Sequence, residues 1–514
     1  MSKKLQVVTH DEVASHNTAK SAWITIDSLV YDITNFAALH PGGESIILEV
    51  AGKDATKEFY SYHRHEVLSK YPRLLIGGIV NEKPKIVVGS SDISKVPYAE
   101  PSYMQGFHSA YFNDSHRQFQ QAVRKFIQEE IKPEALIFEA TDKPASLESF
   151  KKMGEFGYLA ARIGPGEHLK AFSLPGGVSP DKFDYFHEMI AHEELARLAM
   201  RGYTESLGSG MVIGLPPVVY FGSKSIKEKV IGEVFRGEKR ICLSITEPSA
   251  GSDVAAIKTT ATKSADGKFY IVNGTKKWIT NGLFSDYFST AVRTGDGPGG
   301  ISMLLIERSD GMETKPIKTS YSGSAGTAYV IMENVKVPVE NLLGKEGGGF
   351  QVIMYNFNHE RWIMVGSLQR ATRFVIEECF KWAHQRKVFG KRLIDQPVIR
   401  NKLAHMIAEV EATQNWLENI TYQMNQMSYK EQANKLAGPI ALLKLQSTRV
   451  AHNVSDQACQ IFGGRGITKT GMGRAIEVFQ RTYKFSAILG GSEEIMADLG
   501  IRQAMRVFPK DARL

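Results

Sequence analysis

Ser244-Ile245-Thr246-Glu247-Pro248-Ser249-Ala250-Gly251-Ser252-Asp253 and, further on, Lys276-Lys277-Trp278-Ile279-Thr280-Asn281-Gly282 form the stretch whose reading decides the fold. Phe269 to Val272 is rich in β-formers, Asn273-Gly274 predicts a hairpin turn, and Trp278-Ile279-Thr280 begins the return strand. Pro248, Gly251 and the hydroxyls of Thr246 and Ser252 predict a loop whose backbone can come close to a ligand. Trp278 then supplies an aromatic wall, with the Thr280 hydroxyl beside it. That combination suits a flat, hydrogen-bonding heteroaromatic ring.

The 514 residues, 43% hydrophobic and 23% charged, can bury large cores and are long enough for three or four domains. The formal net charge of +8 is thinly spread, with acidic residues interleaved and no Lys/Arg block. This is a mild bias toward anionic ligands and not a nucleic-acid footprint. Cys242, Cys379 and Cys459, far apart in sequence, imply a reducing compartment and no disulfide framework. No apolar run reaches the ~18 residues of a membrane span, so no integral membrane segment is expected. Met1-Ser2-Lys3-Lys4-Leu5-Gln6 lacks both a signal-peptide core and a transit-peptide pattern. Ala512-Arg513-Leu514 is a conservative variant of the Ser-Lys-Leu peroxisomal address, so a peroxisomal location is expected, with the cytoplasm as the alternative.

Residues 1–82 read as a small unit of their own. Trp23-Ile24-Thr25-Ile26 and Leu29-Val30-Tyr31-Asp32 are strand-like runs, followed by Leu39-His40-Pro41-Gly42-Gly43. Helical spacing resumes at Ile46, Ile47 and Val50, then come Gly52-Lys53-Asp54-Ala55-Thr56, Phe59 and His63, and Leu74-Leu75-Ile76-Gly77 closes the unit. The H-P-G-G sequence with D-A-T-x-x-F downstream resembles cytochrome b5 over the whole unit. The resemblance implies a haem b iron gripped from opposite faces by two imidazoles, a six-coordinate arrangement suited to electron transfer. His40 is the first implied ligand; the second is His63 or His65, with the spacing from Asp54-Ala55-Thr56 favouring His63. Residues 83–104, with Pro84, Gly89-Ser90-Ser91, Pro97 and Pro101 and little apolar periodicity, are expected to be a mobile linker.

From 105 to 240 the pattern is helical. Phe119, Val123, Phe126 and Ile127 share a face, and Ile190, Leu195 and Leu198 surround the acidic pair Glu193-Glu194. Pro216-Pro217 interrupts the apolar run from Met211 to Val219. After the β region, 241–345, a second helical region, 346–514, opens at Gly347-Gly348-Gly349. There Phe350, Ile353, Met354 and Phe357 predict a buried face. On that helix Glu360 shares a face with Met364, Ser367 and Ala371. A carboxylate so placed is costly unless chemistry uses it, although adjacent charges such as Glu360-Arg361 are more often solvated.

Taken together, the Ser244–Gly282 pattern closely resembles the middle domain of acyl-CoA dehydrogenases, and residues 105–508 fall into register with that family. The resemblance implies a multidomain α+β protein: the b5-like module, an α-helical domain over 105–240 covering the acyl-chain side of a pocket, a β-barrel-like domain over 241–345, and a four-helix bundle over 346–514. It implies FAD, contacted by Ile245, Thr246, Ser252, Trp278 and Thr280. Arg386-Lys387-Val388-Phe389-Gly390 resembles the family motif whose Arg386 and Phe389 positions bind the FAD pyrophosphate and adenine of a neighbouring subunit. Gln460-Ile461-Phe462-Gly463-Gly464 resembles the adenosine-pyrophosphate contact across a dimer, where paired glycines let backbone amides reach phosphate oxygens. Ser492 and Glu494 complete the implied cofactor set. Gln396 falls one residue early, with Pro397 in its place, and is left out. A shared FAD site implies a homodimer or homotetramer.

Most members of the family keep a catalytic glutamate in a late Y-E-G-T loop. Here Leu489-Gly490-Gly491-Ser492 puts Gly490 at that position. Long-chain and isovaleryl members instead place the glutamate before an arginine on the earlier helix, as in Glu360-Arg361. The resemblance thus implies Glu360 as the base, with substrate contacts from Ser252, Arg361 and Gly490, the last through its backbone N–H to the thioester oxygen. The expected reaction is α,β-dehydrogenation of an acyl-CoA to the trans-2-enoyl-CoA, with electrons passing from FAD to the fused haem and on to a downstream acceptor. An acyl-CoA oxidase returning electrons to oxygen is the alternative enzyme. A nitroalkane-oxidase relative needs an aspartate base where Glu360 and Gly490 stand. A non-catalytic flavoprotein that binds anions or nucleic acid is the alternative outside enzymes, and the diffuse charge and Glu360 argue against it.

Overall fold

The computed structural model describes residues 5–85, 92–320 and 322–512. Gly89-Ser90-Ser91 of the expected linker and Arg513-Leu514 of the expected address lie outside the described residues. The chain divides into two compact units. One comprises Met1–Asp92, Cys379–Arg400 and Cys459–Glu477; the other comprises Ile93–Glu378, Asn401–Ala458 and Val478–Leu514.

In the first unit a five-stranded sheet runs in the order Gln6–Val8, Leu75–Ile79, Leu29–Asp32, Ser21–Ile26, Asn17–Thr18. Ala22, Ile24 and Ile26 alternate inward along their strand, as a two-residue period demands. Asp27 and Ser28, both at positive φ (48° and 63°), make the tight turn to Leu29–Asp32. Strands Gln6–Val8 and Leu75–Ile79 pair in parallel, so the two ends of the module close on each other. Ile24, Tyr31, Ile33, Ala37, Ile47 and Ala51 fill its core. The unit also holds the small hairpin Lys387–Val388 with Lys391–Arg392, whose turn residues Phe389 and Gly390 both have positive φ (50° and 75°).

In the second unit, helices Asp114–Phe126 and Tyr185–Ala196 anchor the N-terminal helical part, and Pro216 separates Ser209–Gly214 from Pro216–Phe221. A mixed sheet follows in the order Met312–Pro316, Ala328–Pro338, Phe269–Ile279, Thr260–Lys263, Tyr287–Arg293, Ile301–Glu307, Leu342–Leu343, with Ile241–Ser244 added in parallel to Tyr287–Arg293. The long helices Gly349–Gln385, Pro397–Gln426, Ala437–Phe462, Arg474–Ile488 and Glu493–Arg506 make up the C-terminal region.

Three expectations are corrected. Asn273-Gly274 is no hairpin turn: Phe269–Ile279 is one strand of 11 residues. The Asn-Gly pair serves a bulge instead, where the register against Ala328–Pro338 shifts between Met332 and Val335. The Asn334 N–H donates to Asn273 Oδ1 (2.8 Å), and a Cβ on Gly274 would stand 2.7 Å from Thr259 Cα. Residues 93–104 are not linker. Ala99 and Glu100 are buried, and Glu100 takes hydrogen bonds from Arg124 (2.9 Å each to Oε1 and Oε2) and from Arg370. A carboxylate facing two buried guanidiniums cannot be released to solvent without stranding them. Finally, Phe350 and Met354 are exposed; Val352 and Ile353 carry the buried face at the start of their helix.

Candidate active site

Glu360 lies in the first half of the helix Gly349–Gln385 and is 8% exposed. Its Oε1 stands 3.5 Å from the point where a Cβ on Gly490 would be, and the Met364 Sδ stands 2.9 Å from that point. Its Oε2 has no hydrogen-bond partner among the described residues. Burial pushes the Glu360 carboxyl above its ordinary range, against the opposing pull of Arg361, Lys444 and His359. The Arg361 Nε donates to the Gly490 carbonyl (2.9 Å), and its Nη1 donates to Asn358 Oδ1 (3.4 Å). The three residues expected at the reacting end, Glu360, Arg361 and Gly490, are therefore brought together.

The loop and strand of the opening motif are tied by a buried ion pair. The Lys276 ammonium donates to Glu247 Oε1 (2.8 Å) and to the Ile245 carbonyl (2.9 Å). Glu247 also accepts from the Lys258 and Thr259 amides (2.6 and 2.9 Å), so its lone pairs are well occupied. The Lys277 N–H adds a bond to the Thr246 carbonyl (2.8 Å). Beside this junction Trp278 is 49% exposed while Thr280 is buried. The Lys277 ammonium sits 4.6 Å from the Trp278 ring centroid. A half-open indole with a neighbouring hydroxyl fits the edge and face of a flavin ring. Ser252 is exposed on the same loop.

Ser492 caps the helix Glu493–Arg506 by accepting from the Ile495 N–H (3.4 Å), and Glu494 is exposed in that helix's first turn. In the other unit, Arg386 leads into the hairpin whose tip carries Phe389, 96% exposed. Gln460 and the Gly463-Gly464 pair are exposed at the end of Ala437–Phe462 and the turn after it. Phe389 thus presents an unburied phenyl ring on a backbone held at positive φ.

The b5-like module sets His40 and His63 near each other, with ring centroids 5.9 Å apart and ring planes tilted by 55°. Nδ1 of His40 donates to the Gly43 carbonyl (3.0 Å), and Nδ1 of His63 donates to the Phe59 carbonyl (3.2 Å). Both rings thus keep Nε2 free as the donor atom, with orientation fixed by a backbone carbonyl. The spacing admits one metal ion between them, given metal–imidazole bonds of about 2.0–2.1 Å. Leu39 and Ile46, 66% and 56% exposed, supply apolar surface near His40 in sequence. His65 is engaged elsewhere: its Nδ1 meets the Tyr60 hydroxyl at 2.7 Å and its ring stacks on Tyr60. These residues fit a bis-imidazole haem.

Several polar residues escaped the sequence reading. Lys444, within the apolar run Leu442-Leu443-Lys444-Leu445, is buried beside Glu360; a lone lysine in such a run was the available signal. His359 donates to Glu188 (2.9 Å), one residue before the expected base. His116, Asp184 and His187 bring possible metal-ligand atoms within 4.8 Å of one another, but helix capping accounts for them. His116 and Asn113 cap one helix reciprocally, and His187 and Asp184 cap the other.

The chain matches the family models for the acyl-CoA dehydrogenase N-terminal domain over 113–238, the middle domain over 242–335 and the C-terminal domain over 347–505. It is 41% identical over 432 residues to "Acyl-CoA dehydrogenase apdG" of Emericella nidulans, covering 82% of this chain and 98% of that protein. The chain belongs to the acyl-CoA dehydrogenase family. A fourth model, the cytochrome b5-like haem/steroid binding domain, matches residues 9–80. "Acyl-CoA dehydrogenase AFT10-1" of Alternaria alternata is 38% identical over 421 residues, covering 80% of this chain and 96% of that protein. Among solved structures, an acyl-CoA dehydrogenase complexed with FAD from Bacillus anthracis superposes with a TM-score of 0.68 at 27% identity, covering 78% of this chain and 69% of that one. Membership of the acyl-CoA dehydrogenase family makes the chain an oxidoreductase and supports FAD as its cofactor.

Proposed function

We propose that the chain dehydrogenates an acyl-CoA thioester to the trans-2-enoyl-CoA with Glu360 as the general base, and that its b5-like module holds haem b between His40 and His63 as the partner of that site. The observation that carries the reading is the buried Glu360 carboxylate, half of it without a protein partner, facing the position of Gly490. Glu360 takes the α-proton. The electron pair of the broken C–H bond moves toward the thioester oxygen, where the Gly490 N–H is the donor that meets the developing charge. Burial raises the carboxyl toward the range in which a general base works. Arg361, bonded to the Gly490 carbonyl, holds that segment against the helix. Trp278, Thr280, Thr246, Ile245 and Ser252 hold the flavin. FAD, when bound, supplies the acceptor for the hydride that leaves the β-carbon, and haem, when bound, supplies a one-electron centre. The exposed Phe389 hairpin and the Gln460, Gly463, Gly464 turn support a homo-oligomer as the working form.

The test is anaerobic mixing of the full-length, FAD- and haem-loaded protein with acyl-CoAs of graded length and branching. Flavin absorbance near ~450 nm should fall, and the haem spectrum should shift to the reduced form afterwards at a rate independent of protein concentration. No bleaching with any acyl-CoA removes the dehydrogenase reading. Bleached flavin with haem still oxidised removes the module as partner and leaves oxygen or a separate protein as acceptor.

A further inference from the structure

Lys444 is 1% exposed in the first half of the helix Ala437–Phe462. Its ammonium donates to two backbone carbonyls, those of Ser486 (3.0 Å) and Gly491 (2.7 Å). These carbonyls bracket the end of the helix Arg474–Ile488 and the turn after it, where Gly490 and Gly491 have φ of 64° and 105°. A glycine in this left-handed position after a helix ordinarily sends its N–H back to the carbonyl four residues earlier. Here that carbonyl is Ser486, and Lys444 occupies it. The Leu489 N–H still bonds back to Phe485 (3.0 Å), but among the described residues the Gly490 N–H has no backbone acceptor. The ammonium is also close to the reacting end, since its Cε lies 3.7 Å from the point where a Gly490 Cβ would stand.

We propose that Lys444 is a positioning residue for the dehydrogenation: by taking the Ser486 and Gly491 carbonyls it leaves the Gly490 N–H free for the thioester oxygen, and its charge favours the ionised Glu360. The inference rests on the reading of Glu360 as base. The step it assists is the transfer of the α-proton to Glu360, with the C–H electron pair delocalised onto the thioester oxygen. The charged groups facing Lys444 are Glu360 and Arg361 from one helix and Glu493 from another; those facing Glu360 are Arg361, Lys444 and His359. Burial lowers the Lys444 pKa to about 8, with Arg361 adding to this and Glu360 and Glu493 opposing it.

The experiment uses an acyl-CoA with sulfur at the β-position, which can lose its α-proton but no hydride. Its deprotonation on the FAD-loaded enzyme is followed by the long-wavelength absorbance of the flavin–anion pair. In Lys444→Met the midpoint of that deprotonation should rise by about one pH unit or more, a factor of about ten in the equilibrium. Single-turnover FAD reduction by an oxidisable acyl-CoA should slow by about tenfold or more, and FAD content should be kept. Lys444→Arg, whose guanidinium can reach two carbonyls, should restore most of both. An FAD-loaded Lys444→Met with an unchanged midpoint overturns the inference. Should that variant fail to load FAD, Lys444→Arg decides. The rate of single-turnover FAD reduction in the wild type should decline as Lys444 loses its proton on the alkaline side, and the permanently charged arginine should carry the plateau to higher pH. An identical alkaline limb in both also overturns the inference. Glu360→Gln separates the two readings: if it retains the signal, the base is elsewhere whatever Lys444 does; if it loses the signal while Lys444→Met is unchanged, only the role of Lys444 fails.

Discussion

Oε1 of Glu360 lies 3.5 Å from the place a Cβ on Gly490 would occupy. Two positions 130 residues apart in the chain therefore look at the same small volume. A carboxylate projected from either one would enter the same space.

Glu360→Gln should fold, bind FAD and lose reduction by acyl-CoA by at least about 10²–10⁴-fold, because the amide cannot accept the α-proton. In the wild type, single-turnover reduction should rise with pH through a limb above the ordinary carboxylate range, since the base works only when ionised and burial raises its pKa. Stopped-flow flavin absorbance across pH checks both. Near wild-type speed in the variant places the base elsewhere.

Moving the carboxylate is a second check. Glu360→Gly combined with Gly490→Glu should recover part of the lost rate. Recovery should be incomplete: the backbone at 490 has φ of 64°, a conformation that costs an L-residue about 1–2 kcal/mol. The Met364 sulfur, 2.9 Å from the new Cβ, must also move. No activity above that of Glu360→Gly alone would count against a shared target.

For the haem module, His63→Ala should abolish the low-spin spectrum while leaving one-turnover bleaching of FAD by acyl-CoA intact. His65→Ala should leave the haem spectrum low-spin, because His65 is stacked on Tyr60 and bonded to its hydroxyl. Optical spectra of the reconstituted variants decide it. The reverse result would transfer the ligand role to His65.

Glu100 anchors the second unit. Burial opposes its ionisation, but the Arg370 and Arg124 guanidiniums outweigh this and hold its pKa at about 2. Glu100→Ala should cost about 3–5 kcal/mol, since it strands buried guanidinium groups. Because the folded pKa lies below the usual 4.5, the pair's contribution is complete above that pH and is lost as pH falls toward about 2. Thermal melting should show the wild type losing stability over that acid range more steeply than Glu100→Gln, in which the group does not titrate. Equal slopes would contradict the assignment.

Much of this was legible in the chain itself. The H-P-G-G segment and the strand runs at 23–32 carry local signals that the fold uses where they stand, whereas Trp278-Ile279 ends the long strand Phe269–Ile279 instead of beginning a return. The reading failed where a distant partner decides the local form. Asn273-Gly274 is a strong turn signal, yet its partner Asn334, 61 residues on, makes it a bulge within a long strand. The polar, proline-bearing segment around Glu100 looks like linker until Arg370, 270 residues away, is seen to close on it. Lys444 escaped for the same reason: nothing in Leu442-Leu443-Lys444-Leu445 tells which carbonyls the ammonium reaches. Glu360 could be singled out only through the resemblance, because a Glu-Arg pair on a helix is ordinarily solvated.

The helix that carries Glu360 runs unbroken for 37 residues, from Gly349 to Gln385. A proton acceptor rooted in such a rod inherits the rod's rigidity, whereas one on a turn shares the turn's fluctuations. In the proposed reaction, proton removal and charge stabilisation are thereby mounted on separate supports, the helix for Glu360 and the glycine turn for the Gly490 amide. Substitutions that loosen the turn will degrade stabilisation of the anion while leaving the acceptor in place, so the two contributions to rate can vary independently of each other.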